Sequence, residues 1–141
     1  MARKRFEFVI KAKGSADISC MDPNKIIITK GAKVFDDSVI GVSADCSAAE
    51  LPAELKMALR EGKKLTVTIH TAGIEDIVTA YGSYDLKLND KKSITITKSG
   101  FVDGATIGVK ANKGAADLAR PLTALLRDPE QEIKITFAVM R

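Results

Sequence analysis

The chain writes one phrase twice. "IGVSADCSAAEL" runs from Ile40 to Leu51, and "IGVKANKGAADL" runs from Ile107 to Leu118. The likeness extends well past the phrase. Residues 5–30 align with residues 73–98 without a gap and share ten identities, Gly14 with Gly82 and Asp22 with Asp90 among them. Residues 37–60 align with residues 104–127 and share ten more, ending on Arg60 and Arg127. Self-similarity at a fixed period is weighed before local pattern, because it governs the whole fold. A tandem internal duplication is therefore expected, with repeat one over residues 5–70 and repeat two over residues 73–139. One half alone is too short to bury a sound core. The joining stretch "HTAGIED" has no linker character. The two repeats are thus expected to form a single domain over residues 1–141, packed about a pseudo-twofold axis.

Within each repeat the apolar positions alternate with a period of two, which is the pattern of half-buried strands. Phe6, Phe8, Ile10 and Ala12 alternate with Glu7, Lys11 and Lys13. After "KGSAD" or "YGSYD", Ile18 and Cys20, or Leu86 and Leu88, suggest a second strand. Ile26 and Ile28, matched by Ile94 and Ile96, mark a third, and Ile40, Val42 and Ala44 a fourth. Leu51, Leu55, Ala58 and Leu59 then fall on one helical face, as do Leu118, Leu122, Leu125 and Leu126. Proline is tolerated in a first helical turn, so Pro52 and Pro121 place the helix starts near Pro52 and Ala119. Gly62 suits a helix C-terminus. Leu65, Val67 and Ile69, matched by Ile133, Ile135 and Phe137, form a last strand. Each half thus reads strand-strand-strand-strand-helix-strand. The expected fold class is β-rich, mainly β or α+β, a sandwich or barrel-like body with two helices.

Composition settles what fills that body and where it works. There is no Trp, with two Tyr and five Phe, so the core must be aliphatic. Cys20 and Cys46 are too few and too ill-spaced for a disulfide framework, and they suit a reducing, cytoplasmic setting. The opening "MARKRFEF" is basic but runs into a strand-like alternation, so no secretory leader is expected. No apolar run reaches the ~18 residues of a membrane span. The oligomeric state leaves no mark in the pattern.

Few residues have the chemistry of a site. His70 is the sole histidine, its counterpart is Ala138, and no Ser or Cys partners it in the sequence, so a structural or surface role is expected. One His and two scattered Cys make no zinc set. Asp36, Asp37 and Asp103 are carboxylates of the kind that hold a hard cation such as magnesium, but a polar turn is the expected reading. No Gly-rich phosphate loop occurs. No catalytic residue, metal or cofactor is therefore expected, and the chain leans away from being an enzyme. The repeated strand–turn–helix phrase remains. Asp45, Asn112, Lys110 and Lys113 lie where free amides and a helix start favour an anion such as a phosphorylated metabolite. The competing reading is that Asp45 and Asn112 satisfy turn amides while the alanines allow close packing.

"RKRFEFVIKAKG", "IGVSAD…AAEL" and "GAADL…LLRDPE" together resemble a family of small archaeal proteins, domain of unknown function three hundred seventy-one. The resemblance covers essentially the whole chain. It implies an archaeal cytoplasmic protein with a β-rich, duplicated fold, and it carries over no catalytic residue. Cys46 departs from the lysine expected by analogy with Lys113.

The net charge of +4 is compatible with an anionic partner. Arg3, Lys4, Arg5, Lys11 and Lys13 gather at the start, Lys91 and Lys92 sit at a turn, and Tyr81 and Tyr84 flank the second "GS" turn as candidate stacking rings. The leading expectation is a non-enzymatic module for RNA or another polyanion. The alternative is an enzyme or small-ligand binder using the repeated turns for a phosphorylated metabolite.

Overall fold

The computed structural model describes residues 4–140. In chain order these are β1 (Arg5–Lys13), β2 (Lys25–Thr29), β3 (Val39–Gly41), a 3-10 turn at Ala48–Glu50, α1 (Ala53–Arg60) and β4 (Lys64–Thr71). Then come β5 (Ile74–Tyr81), β6 (Ser93–Thr97), β7 (Thr106–Gly108), a 3-10 turn at Ala115–Asp117, α2 (Arg120–Leu126) and β8 (Glu132–Met140). They build two four-stranded sheets, ordered β1-β8-β4-β5 and β3-β2-β6-β7. The first is antiparallel throughout. The second pairs β2 with β6 antiparallel, while the short edges β3 and β7 run parallel to their neighbours. Each sheet therefore takes two strands from residues 5–71 and two from residues 74–140.

Local chemistry explains the joins. β4 and β5 form a hairpin whose two loop residues, Ala72 and Gly73, have φ of 50° and 80°. Two left-handed residues are what a tight hairpin turn with the right twist requires. The first sheet is tied to the second at both ends. Lys13 bridges to Val42 beyond β3, and Tyr81 bridges to Val109 beyond β7. Asp45 and Asn112 extend these ties. Asp45 accepts the Lys11 amide on Oδ1 at 3.0 Å, and Asn112 accepts the Thr79 amide at 2.9 Å. Free edge amides of β1 and β5 are thereby satisfied.

A single apolar cluster draws on both sheets and both helices, with Ile10, Ile26, Val67, Ile94, Leu55, Leu122 and Ile135 in it. Burying each such side chain contributes roughly 1.5–3 kcal/mol. Phe137 is the one buried aromatic among the described residues, so the aliphatic core is borne out. β2 is apolar on both faces because Val34, Val39 and Val42 cover Ile27 on its outer side. The helices start where the prolines indicated, with Pro52 and Ala119 as N-caps. No helix among the described residues is long and apolar enough to cross a membrane.

One element differs from the expectation. Ile18, Cys20, Leu86 and Leu88 are buried, yet no strand forms there, so each half carries one strand fewer than its alternation suggests. Cys20 and Leu88 have φ of 53° and 51°, which breaks a ladder. Arginine replaces the missing partner strand. Arg127 donates to the carbonyls of Ile18 and Ser19 at 3.1 and 3.2 Å. Arg60 donates to those of Leu86 and Lys87 at 3.1 and 2.9 Å. A rigid guanidinium fork suits two successive acceptors, and each arginine reaches across to the other half of the chain. The "SAAEL" and "GAADL" pieces, expected as turns, are the two 3-10 turns.

A candidate anion-binding surface

The repeated phrase already contains its own anions. Glu50 accepts the Ser47 amide at 3.1 Å and hydroxyl at 2.9 Å, and its Oε1 lies 2.7 Å from Lys30 Nζ. Asp117 accepts the Gly114 amide at 2.9 Å and pairs with Lys98 at 2.7 Å. Lys30 and the Ser47 bonds hold Glu50 below the usual carboxylate range, and Lys98 with the Gly114 amide does the same for Asp117. Lys113 lies 2.5 Å from Asp76, whose second oxygen accepts the Ala119 amide at 2.9 Å. Of the four residues singled out in the phrase, Asp45, Asn112 and Lys113 are thus held by internal partners. Lys110 faces open space.

Asp36 and Asp103 act within their own turns, and Asp37 reaches back to the Ser19 segment. Asp36 accepts the Ser38 amide, Asp37 accepts the Ser19 hydroxyl, and Asp103 accepts the Ala105 and Thr106 amides. Asp36 and Asp37 precede the β3 edge and Asp103 the β7 edge, at opposite ends of their sheet. Among the described residues, no three His, Cys, Asp or Glu side chains stand together as a metal site. Burial pushes the Cys20 and Cys46 thiols up to about 11. Such thiols are poor nucleophiles.

The outer face of the first sheet is different, because no helix covers it. Arg5, Lys11 and Lys13 point outward from β1, Lys64, Thr66, Thr68 and His70 from β4, and Tyr81 from β5. His70 stands between Glu75 and Lys134. At one end of this face Arg5, Lys63, Lys64, Thr66, Ala138 and Met140 line a hollow of about 240 Å3. Among the described residues that line it, none is a carboxylate. Arg5 keeps one contact of its own, Nε to Glu7 at 3.4 Å. Lys64 pairs in register with Tyr81. Beyond Tyr81 lies a second, more open hollow of about 450 Å3, lined by Gly62, Gly82, Ser83, Gly100 and Lys110.

The backbone fixes this corner. At the end of α1 the Gly62 amide donates to Leu59 and the Lys63 amide to Ala58, at 3.0 and 3.2 Å. That double closure needs a left-handed residue, and Gly62 has φ of 79°. The Lys63 carbonyl then accepts the Gly82 amide at 2.9 Å. A side chain at position 82 would run into the Leu59 carbonyl, so only glycine allows this approach. The counterpart corner carries different charges. Where this one has Gly62, Lys63, Lys64 and Tyr81, the aligned positions hold Glu130, Gln131, Glu132 and Lys13, with Lys13 again opposite Glu132.

Several residues expected to bind a polyanion therefore meet here and several do not. Arg5, Lys11, Lys13 and Tyr81 share the outer face, although Lys11 and Lys13 lie at its far end, where Lys11 pairs with Glu132 at 3.7 Å. Lys4 is exposed just ahead of β1. Tyr84 is exposed beyond the Gly82–Ser83 turn. Lys91 and Lys92 precede β6 on the other sheet, with Lys92 against Gly31. Arg3 lies outside the described residues. Lys63, Lys64 and Thr66 did not stand out in the sequence, and the one available signal was the exchange of "GKK" for "EQE" between the aligned segments.

The sequence model of the family described as Domain of unknown function (DUF371) matches residues 10–140. An uncharacterized protein of Methanocaldococcus jannaschii is 34% identical over 129 residues, which cover 90% of this chain and 96% of that relative.

Proposed function

The chain belongs to the family described as Domain of unknown function (DUF371), and we propose that it is a non-enzymatic binding module for RNA or another polyanion. The observation that carries this reading is the hollow of Arg5, Lys63, Lys64 and Thr66, with no carboxylate among the described residues that line it, beside the exposed Tyr81 ring. Cations that line a groove neutralise phosphates, and an adjacent aromatic face stacks a base regardless of its identity. Thr66, Thr68 and Thr79 leave the sheet between them low and polar, a floor along which a strand can lie. The binding surface is then single, because the aligned corner loses all three cations, with Gly73, Gln131 and Glu132 at the positions of Arg5, Lys63 and Lys64.

The same reading takes the chain as one cytoplasmic domain of two repeats related by a pseudo-twofold axis. The crossed Arg60 and Arg127 contacts and the matching bridges at Lys13 and Tyr81 support it.

The test is fluorescence anisotropy of labelled single-stranded RNA and duplex DNA across a salt series. With three cations engaged, log affinity for RNA should fall with log salt at a slope of about −2. Lys64→Glu should weaken binding more than Lys11→Glu, and Tyr81→Ala should weaken RNA more than duplex. Absence of binding at low salt, or binding indifferent to salt, overturns the proposal.

A further inference from the structure

We infer that the hollow at Arg5, Lys63 and Lys64 takes a phosphomonoester, the terminal phosphate of a nucleotide whose base lies against Tyr81. The inference rests on the polyanion reading and narrows it from any phosphate chain to a phosphorylated end.

Charge is the first reason. Three cationic residues, Arg5, Lys63 and Lys64, line one hollow, and no carboxylate stands among the described residues that line it, the Glu7 partner of Arg5 lying outside the lining. An internal phosphodiester carries one negative charge, whereas a monoester carries ≈ −1.5 to −2 at neutral pH and three acceptor oxygens. The lining residues carry donors that suit that demand: the Arg5 guanidinium, the Lys63 and Lys64 ammonium groups and the Thr66 hydroxyl.

Size is the second. At about 240 Å3 the hollow is smaller than the ~300 Å3 at which sites for whole small molecules begin. It accepts a group, and the remainder of the ligand must lie outside. The neighbouring hollow of about 450 Å3 is the space available. Tyr81 forms its wall, and Gly62 and Gly100 have no atoms near the place a side chain would occupy, so that space is open. Lys64 and Tyr81 are direct cross-strand partners, and such partners stand ~5 Å apart.

Preorganisation is the third. The Lys63 backbone is bonded on both sides, to Ala58 and from Gly82, and Lys64 and Arg5 begin paired strands. The backbone is thus ordered before binding, and only the long side chains remain to be fixed.

The ligand chemistry has two possible sources, the end of an RNA strand or a free mononucleotide, and the experiment separates them. One RNA oligomer is prepared with a 5′-phosphate, with a 3′-phosphate and with hydroxyls at both ends, and each is titrated by anisotropy. Adenosine monophosphate and adenosine serve as competitors. One phosphorylated oligomer should bind about tenfold more tightly than the hydroxyl form. That preference should fade below about pH 6, where the monoester gains a proton. Lys64→Gln and Arg5→Gln, with unchanged melting temperatures, should erase the preference while leaving a weaker, salt-dependent binding. Competition by adenosine monophosphate but not adenosine, without any advantage for RNA, identifies the free nucleotide as the source and supports the inference. Equal, salt-sensitive binding of all three oligomers with no competition by adenosine monophosphate overturns it and leaves the polyanion reading standing. Absence of binding by every probe overturns both.

Discussion

The Asp76–Lys113 pair is the sharpest place to test the energetics of this fold. Asp76 faces inward from β5 with its side chain 14% exposed, and Lys113 is 27% exposed. One carboxylate oxygen takes the Lys113 ammonium at 2.5 Å and the other takes the Ala119 amide at the start of α2. Breaking a fully buried pair costs about 3–5 kcal/mol, while an exposed pair is worth ~0–1 kcal/mol. Lys113 has partial access to water, so Asp76→Asn should cost about 2 kcal/mol at pH 7, between those limits. At this chain length that is a fall of roughly 6–10 °C in melting temperature. Burial raises the Asp76 carboxyl, but Lys113 and the Ala119 and Ile77 amides outweigh it and hold the group below its ordinary value. A depressed folded value contributes stability present above the unfolded pKa, ~3.9, and lost as pH falls through the folded one. Urea unfolding of wild type, Asp76→Asn, Lys113→Met and the double variant should therefore show ~1–2 kcal/mol of coupling at pH 7. The gap to wild type should close below about pH 4. The aligned positions in the first half supply the rescue: Phe8, Cys46 and Pro52 carry no carboxylate, no cation and no amide. Ala119 has φ of −56°, and Leu118 before it is extended, so proline fits there. Replacing Asp76, Lys113 and Ala119 together by Phe, Cys and Pro should regain most of the loss. Additive single effects, or a loss as large at pH 3 as at pH 7, would refute the reasoning.

Other outcomes follow from the same geometry. Gly82→Ala drives a methyl into the Leu59 carbonyl and should cost about 3 kcal/mol or prevent folding, whereas Gly62→Ala, strained only in its backbone, should cost about 1 kcal/mol; thermal unfolding compares them. Arg127→Met leaves the Ile18 and Ser19 carbonyls without their guanidinium and should cost roughly 2 kcal/mol, with hydrogen exchange rising first around residues 15–22. Cys20 and Cys46, buried and with thiols raised to about 11, should react with a thiol reagent at pH 8 only as fast as the protein opens. Labelling that proceeds at the rate of a free thiol would contradict their burial.

Most elements could be read from pattern alone. The alternation in "RFEFVIKAK" and "KLTVTIHT" located β1 and β4, and proline and glycine located the helix ends, because these signals depend only on neighbouring residues. The Ile18–Cys20 and Leu86–Leu88 stretches misled for a definite reason. Alternation reports which side chains are buried and says nothing of what satisfies the backbone between them. There the partner is an arginine more than a hundred residues away for Ile18, and 26 away for Leu86. The repeated phrase was conspicuous because it builds the fold: its acids and amides bond to each other, and its alanines pack.

The amino-acid order by itself determined a β-rich body with an aliphatic core, two helices with marked starts, two reduced cysteines and membership of the DUF371 family. Only the tertiary structure decided where a ligand has room. Lys64 meets Tyr81, and Arg5 reaches the same corner, through cross-strand register, which depends on how four strands pair. Which cations remain open to an anion depends on the same folding, since Lys30, Lys98 and Lys113 are engaged by the protein's own carboxylates. Charge is counted along a chain, but a binding surface is made by charges that share a face and keep donors open to a ligand.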